Sequence, residues 1–316
     1  MRMSFMLDKN YSPVTIPESY TNDPAKCFFY SIDSFYIESV RDFQSVKLLQ
    51  YLEEGSLTGI VFLPEAIVGR KIDTAMELLY IEGFTPVAYS RFRFNRHMIR
   101  ENWRYQYNAA IQQRIDAADL LRTATDSLYV ILKKNDVSNG TASHKLKSMK
   151  GASDPEQRKK SDLRYVLGNL SYMLSIVHTP DDTSDFIREF GVYFDKDKRC
   201  NLLKHVEAET VDESGLNKLI EELYNEYKPE DLCFERVVNR IENAINSSVI
   251  AKHSINYASQ IQVFNDLSKQ KSLDWYDFFS FLDESQVDYR HWDKLMLISY
   301  LYNKHNASIT GVERVI

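Results

Sequence analysis

The apolar positions of this chain group into short runs and helical stripes whose order changes near residue 196. Residues 27–37 (CFFYSIDSFYI) are rich in aromatic and branched side chains and predict a strand. Residues 42–52 predict a helix, with Val46, Leu48, Leu49 and Leu52 near one side. Residues 1–57 read as an ordered extension rather than a floppy tail, the first twenty excepted. TGIVFLP at 58–64 predicts a short buried strand stopped by Pro64. From 68 to 81, Ile72, Ala75, Met76 and Leu79 recur at i, i+3, i+4 and i+7, one face of a helix, and Gly83 supplies its end. TPVAYSRFRF at 85–94 alternates as a strand does, two helices are expected on either side of Asn108, and SLYVILKK at 127–134 predicts another buried strand.

Residues 135–162 are polar, carry the turn signals Asn139-Gly140 and Asp154-Pro155, and read as a long loop. The apolar run LSYMLSIVH ends at His178, and a helix carrying Phe186, Ile187 and Phe190 follows, with Asp182, Thr183 or Ser184 as its cap. Strand, helix, strand, helices, strand is the opening of a split βαβ unit. Residues 58–195 are therefore expected to form an α+β domain, a ferredoxin-like antiparallel sheet with helices. Beyond 196 the signals are helical throughout. Leu216, Leu219, Ile220, Leu223, Tyr224 and Tyr227 form one stripe, and Val237, Val238, Ile241, Ile245 and Val249 form the next. Further helices are expected around 255–267, 275–282 and 292–302. Residues 196–316 thus predict an all-helical C-terminal unit of four or five helices, with packing or partner docking, including homo-oligomer formation, as its role.

At 316 residues, 44% apolar and 27% charged, the chain has the make-up of an ordinary globular protein with more than one unit. No apolar run approaches the roughly 18 residues of a membrane span, and the start lacks the apolar centre of a secretory signal, so a cytoplasmic location is expected. Cys27, Cys200 and Cys233 stand far apart without a CxxC pair and read as buried thiols. A net charge of -6 argues against a surface built to hold nucleic acid. Between Lys133 and Ser161, however, eight basic residues face three acidic ones. This is either a solvated loop or a site for a small anion. Its cations are not interleaved with aromatic residues, which makes nucleic acid the poorer partner.

Several fragments then fall in one order: GIVFLPEAIVG at 59–69, EGFTPVA at 82–88, KSMKGASDP at 147–155, DLR at 162–164, and SIVHTPDD at 175–182, with Glu189 eleven residues beyond His178. The order resembles that of the nucleoside diphosphate kinase family over residues 58–195, under half of the chain. The resemblance implies that His178 accepts phosphate and that Glu189 orients its ring. It implies that Arg164 and Lys147 contact nucleotide phosphates, that Ser153 stands in for a threonine as hydroxyl donor, that Trp103 falls near a nucleotide-binding tyrosine of the family pattern, and that Tyr172 falls near a residue that touches the base. Magnesium is implied as the ion that accompanies the nucleotide, with Asp181 or Glu65 in reach of its hydration shell. Nucleoside triphosphate and diphosphate are the implied ligands.

The fragments also depart from the family. Leu63 stands where a lysine precedes the first-strand proline, Ser175 replaces an asparagine, Thr179-Pro180-Asp181-Asp182 replaces GSDS, and the segment from Arg164 to His178 is one residue longer. The chemistry itself is simple to state. A neutral imidazole is nucleophilic, a carboxylate on one ring nitrogen fixes the tautomer so that the other attacks, and arginine grips phosphate oxygens with its fork. Two functions therefore compete. One is a phosphotransferase working through phosphohistidine at His178. The other is a nucleotide-binding module that has lost transfer and holds a partner through its helical half, as the departures at Leu63 and Pro180 favour.

Overall fold

The computed structural model describes residues 13–104, 110–208, 212–268 and 275–300. Its centre is a four-stranded antiparallel sheet of β1 (Leu57–Phe62), β2 (Phe84–Phe92), β3 (Ser127–Lys134) and β4 (Val177–His178), in the order β2-β3-β1-β4. This is the expected ferredoxin-like arrangement. Successive strand residues point to opposite faces. Ile60, Phe62, Leu128, Val130 and Leu132 enter one apolar cluster, while Leu57, Val61, Tyr129 and Ile131 enter a second. Gly59 is required where it stands, because a Cβ there would lie 2.5 Å from the Tyr129 hydroxyl.

Helices Pro64–Val68, Ile72–Ile81, Gln112–Arg122 and Ala142–Lys150 cover the first face. The expected helix over 68–81 is broken at Gly69 and Arg70, whose φ of 54° is left-handed. The remaining stripe of Ile72, Ala75, Met76 and Leu79 is buried as predicted. Helix Ala142–Lys150 corrects the expectation of a polar loop over 135–162. Thr141 accepts from His144 N as its cap, and Ala142 and Leu146 are fully buried. So few apolar residues in so charged a stretch hid its periodicity.

The N-terminal segment packs on the second face and is helical, not a strand. Helix Pro24–Tyr30 starts at Asp23 and helix Ser34–Ser45 at Asp33, each aspartate accepting a backbone N–H. Two capping aspartates and Pro24 at a first helical turn override the strand preference of the aromatic residues between them. The helix expected over 42–52 divides at Lys47, where φ is 58°, into the end of Ser34–Ser45 and helix Leu49–Glu53. Helix Thr183–Tyr193, capped by Asp182, lies on this same face with Phe186, Ile187 and Phe190 buried.

Past residue 196 the described residues are helical, with helices Lys196–Ala208, Glu213–Glu226, Phe234–Ser247, Val249–His253, Tyr257–Ser268, Trp275–Glu284 and His291–Tyr300. The last two positions of the helix expected over 292–302 lie outside the described residues, as does Asn108. Leu216, Ile220, Leu223, Val237, Ile241 and Ile245 turn into the cluster that contains Ile60 and Phe62. These stripes therefore face the chain's own sheet. Val249 departs from its stripe and is 68% exposed, because Ser248 ends one helix and caps the next. Helices Lys196–Ala208 and Glu213–Glu226 lie on opposite faces beside the edge strand β2, and between them Asp212 accepts from the Tyr89 hydroxyl at 3.0 Å. The three cysteines are free and only half-buried. Among the described residues no helix is long and apolar enough to cross a membrane.

Helix Thr183–Tyr193 meets helix Ser34–Ser45 at Gly191, where a Cβ would overlap the Phe35 carbonyl oxygen and lie 2.6 Å from Ser39 Oγ. Gly191→Ala should destabilise the fold by about 1–3 kcal/mol, read as a lower midpoint in urea. An unchanged midpoint would show that these helices do not press together.

Candidate functional site

Strand β4 is only two residues long, and His178 is its last. Just before it, Ile176 has a φ of 63°, a left-handed conformation that a β-branched residue avoids. Its N–H donates to Glu65 Oε1 at 3.0 Å and its carbonyl accepts from Leu63 N at 3.0 Å. Glu65 is completely buried and also takes the Arg122 guanidinium at 3.1 Å, while Arg122 Nη2 donates to the Met173 carbonyl at 2.8 Å. A buried ion pair therefore holds the strained turn that presents His178. Glu65 is thereby committed to the fold and does not line the cleft, which corrects its expected place near a hydrated ion.

His178 Nε2 lies 2.8 Å from Glu189 Oε1, and both side chains are largely buried. Glu189 sits at mid-length on helix Thr183–Tyr193, with the Tyr193 hydroxyl 3.5 Å from its other oxygen. A carboxylate at Nε2 selects the tautomer with hydrogen on that atom and leaves the Nδ1 lone pair free to act. The Trp103 ring stands edge-on to the imidazole at 5.2 Å.

The pair opens on a cleft of about 360 Å³ that also reaches Trp103, Ser153, Arg164 and Tyr172. Six of the seven residues named from sequence thus share one cavity. Lys147 is the exception. It is half-exposed and paired with Asp181 at 3.2 Å, outside the lining. Lys150, one helical turn on, takes the inner place. Its ammonium is buried, donates to the Thr179 carbonyl at 3.2 Å and lies 3.6 Å from Asp181. The i, i+3 spacing of the two lysines was a signal for this, since both share one helix face.

The basic stretch does not form the cleft mouth as a unit. Of its cations only Lys150 reaches the lining; Lys145 pairs with Glu82, and Arg158 is held by the carbonyls of Ala152, Ser153 and Leu170. Arg114, Arg122, Arg188 and Lys26 come from elsewhere. In all, seven Lys and Arg side chains and five carboxylates line the cleft, so the site is cationic in an acidic chain.

Arg164 is 4% exposed, and among the described residues its bonds run only to neutral oxygens: Ser153 Oγ at 3.2 Å, the Val177 carbonyl at 3.1 Å and the Gly151 carbonyl at 3.4 Å. Its Nε and the neighbouring Thr179 Oγ1 have no hydrogen-bond partner among the described residues. Burial, then Arg158 and Arg122, pulls the Arg164 guanidinium below its ordinary value. Burial, with Arg164 next, pushes the Lys150 ammonium down to about 8. Both shifts record cations that lack a full counter-charge. No group of three or more His, Cys, Asp or Glu side chains able to hold a metal is present among the described residues. Asp181 lies at the cleft with its carboxyl held below the usual range, since Lys150 and Lys147 outweigh the effect of burial.

No protein-family model matches the chain, and no curated protein matches its sequence. Among solved structures it is similar to the Aquifex aeolicus nucleoside diphosphate kinase, with 17% identity, a TM-score of 0.37, and 45% of this chain set against 96% of that one. The enzyme from Encephalitozoon cuniculi gives 15% identity and a TM-score of 0.39 over 45% of this chain and 90% of its own. An NDP kinase from Pyrobaculum aerophilum gives 15%, 0.37, 45% and 97% in the same terms.

A polyanion in the cleft should return Lys150 to its charged form. Near pH 8.5, pyrophosphate binding should take up between about half and one proton, measured by calorimetry in buffers of different ionisation enthalpy. Lys150→Met should abolish the uptake. The sign for the free protein follows from the same shift. The unfolded chain keeps a proton that the folded one has released, so this group adds stability as pH rises from about 8 towards the ordinary lysine value near 10.4.

Proposed function

We propose that this chain is a nucleoside diphosphate kinase-like phosphotransferase that moves the γ-phosphate of a nucleoside triphosphate through His178. One observation carries the reading: a carboxylate-braced histidine opens on a cleft in which a buried arginine has no carboxylate partner among the described residues. Such an arginine needs an anion to complete its surroundings. A polyphosphate beside a histidine with a free Nδ1 is a ligand that the histidine can attack.

In the first half-reaction Nδ1 of His178 attacks the γ-phosphorus, and the bond from that phosphorus to the bridging oxygen breaks. The diphosphate leaves with the bonding pair. The imidazole keeps its Nε2 proton and becomes cationic as the N–P bond forms, and Glu189 stabilises that charge across 2.8 Å. Arg164 and Lys150 hold the phosphate oxygens, and the Thr179 hydroxyl is placed to donate to one of them. In the second half-reaction a terminal phosphate oxygen of an acceptor diphosphate attacks the phosphohistidine, the N–P bond breaks, and the ring returns to its first state. Magnesium carried with the nucleotide neutralises phosphate charge.

A second reading, nucleotide binding without transfer, is favoured by Leu63. That side chain is fully buried in the apolar cluster on the second face of the sheet and supplies no cation to the cleft. Leu63→Lys would place an ammonium in that apolar cluster, so it should destabilise the chain.

Incubation with γ-labelled ATP and magnesium separates the two readings. Transfer predicts an acid-labile, base-stable phosphate on the protein. His178→Asn should abolish labelling and turnover together while lowering nucleotide affinity by no more than about tenfold, or about 1.4 kcal/mol. Arg164→Ala should instead weaken binding itself by about 1.5–3 kcal/mol. A wild-type protein that binds ATP, takes no label and matches the Asn variant in every assay is a binding module.

A further inference from the structure

The N-terminal extension shares the cleft. Asp23, Ala25, Lys26, Phe29 and Tyr30 all line it. They stand against the first turn of helix Thr183–Tyr193, where the cap Asp182 and the residue Asp185 place two carboxylates close together, with Glu189 one turn further along. Lys26 Nζ bridges the pair, at 2.7 Å from Asp182 Oδ2 and 2.6 Å from Asp185 Oδ2. From the same N-terminal segment the Tyr30 hydroxyl donates to Asp185 Oδ1 at 2.8 Å and the Thr21 hydroxyl to Asp182 Oδ2 at 2.8 Å. Lys26 is the only cation bonded to either carboxylate among the described residues.

A polyphosphate carries several negative charges, and the wall opposed to it here is the acidic start of a helix. Like charges in a partly desolvated cleft repel far more strongly than in water. With the lysine in place, one positive charge stands between the two carboxylates and the ligand space. Without it, Asp185 would face that space together with Glu189, and the charge of Asp182 just behind the lining would stand unbalanced. Burial first, and then the neighbouring Asp182 carboxylate, raises the Asp185 carboxyl to about 6 even with Lys26 beside it.

We propose that Lys26 is a positioning residue of the cleft: by neutralising Asp182 and Asp185 it makes the acidic wall compatible with a polyphosphate ligand, so the N-terminal helix is part of the binding site. The proposal rests on the polyphosphate reading above. Lys26 itself is already saturated by two carboxylates and acts through them rather than on the ligand.

The test is calorimetric titration of the full chain with inorganic tripolyphosphate at neutral pH and low salt. Lys26→Met should weaken binding about tenfold or more, and Lys26→Arg should stay within about threefold of wild type. The double variant Lys26→Met with Asp185→Asn, which removes the lysine and a carboxylate together, should recover affinity to within about threefold of wild type. Recovery in the double variant distinguishes charge balance from scaffolding, since a lost scaffold is not restored by a second substitution. If Lys26→Met does not fold, the double variant takes its place, and loss of binding there overturns the proposal. Unchanged binding in a folded Lys26→Met, or a Lys26→Arg as weak as Lys26→Met, overturns it while the polyphosphate reading stands. Failure of the wild type to bind tripolyphosphate overturns that reading and this proposal with it.

Discussion

One buried carboxylate ties the candidate site to the fold. Glu65 lies on the short helix after β1, receives Arg122 from the helix before β3, and accepts the N–H of Ile176 on the approach to β4. Three segments far apart in sequence therefore meet at one side chain that no water reaches. Losing either member of such a pair leaves the other charged and buried, a penalty of about 3–5 kcal/mol. The strained turn at Ile176 is held by one member of that pair and by the Leu63 N–H, and His178 stands two residues further on. The geometry of the histidine is thus set by a contact that is no part of the chemistry.

The reach of sequence reasoning followed the range of the interactions involved. Strands β1, β2 and β3 were legible because their apolar runs are bounded by breakers, and the pairing of His178 with Glu189 was legible from fragment order. Three features were not. The N-terminal helices were obscured because aromatic residues favour strands, while the deciding groups were the capping side chains of Asp23 and Asp33. Helix Ala142–Lys150 was obscured by its charge, and with it the exchange of Lys147 for Lys150 at the cleft. The contributions of Lys26 and Arg122 were beyond reach, since each depends on a partner more than fifty residues away.

Charge in this chain is arranged rather than merely counted. The whole protein is acidic, yet the cleft is cationic, and the cations come from separate elements instead of the basic stretch that composition points to. Arg188 shows how such a lining is kept in order. It bonds to Asp33 Oδ2 at 2.9 Å and to the side chain of Glu101, linking the N-terminal helices, helix Arg96–Asn102 and the helix that carries Glu189. Some charges thus hold the walls, while Arg164 meets only neutral oxygens among the described residues.

The helices beside β2 bear on how the chain can be handled. That strand is nine residues long and lies at the rim of the sheet, where unpaired backbone groups invite other strands to join. Helices Lys196–Ala208 and Glu213–Glu226 shield it from both faces, and the later helices cover the apolar surface around Ile60 and Phe62. A chain cut near residue 195 would keep every residue of the candidate site and lose this covering. Such a fragment would carry a bare strand rim and a large greasy surface, and its natural fate in a test tube is to precipitate or to pair with copies of itself.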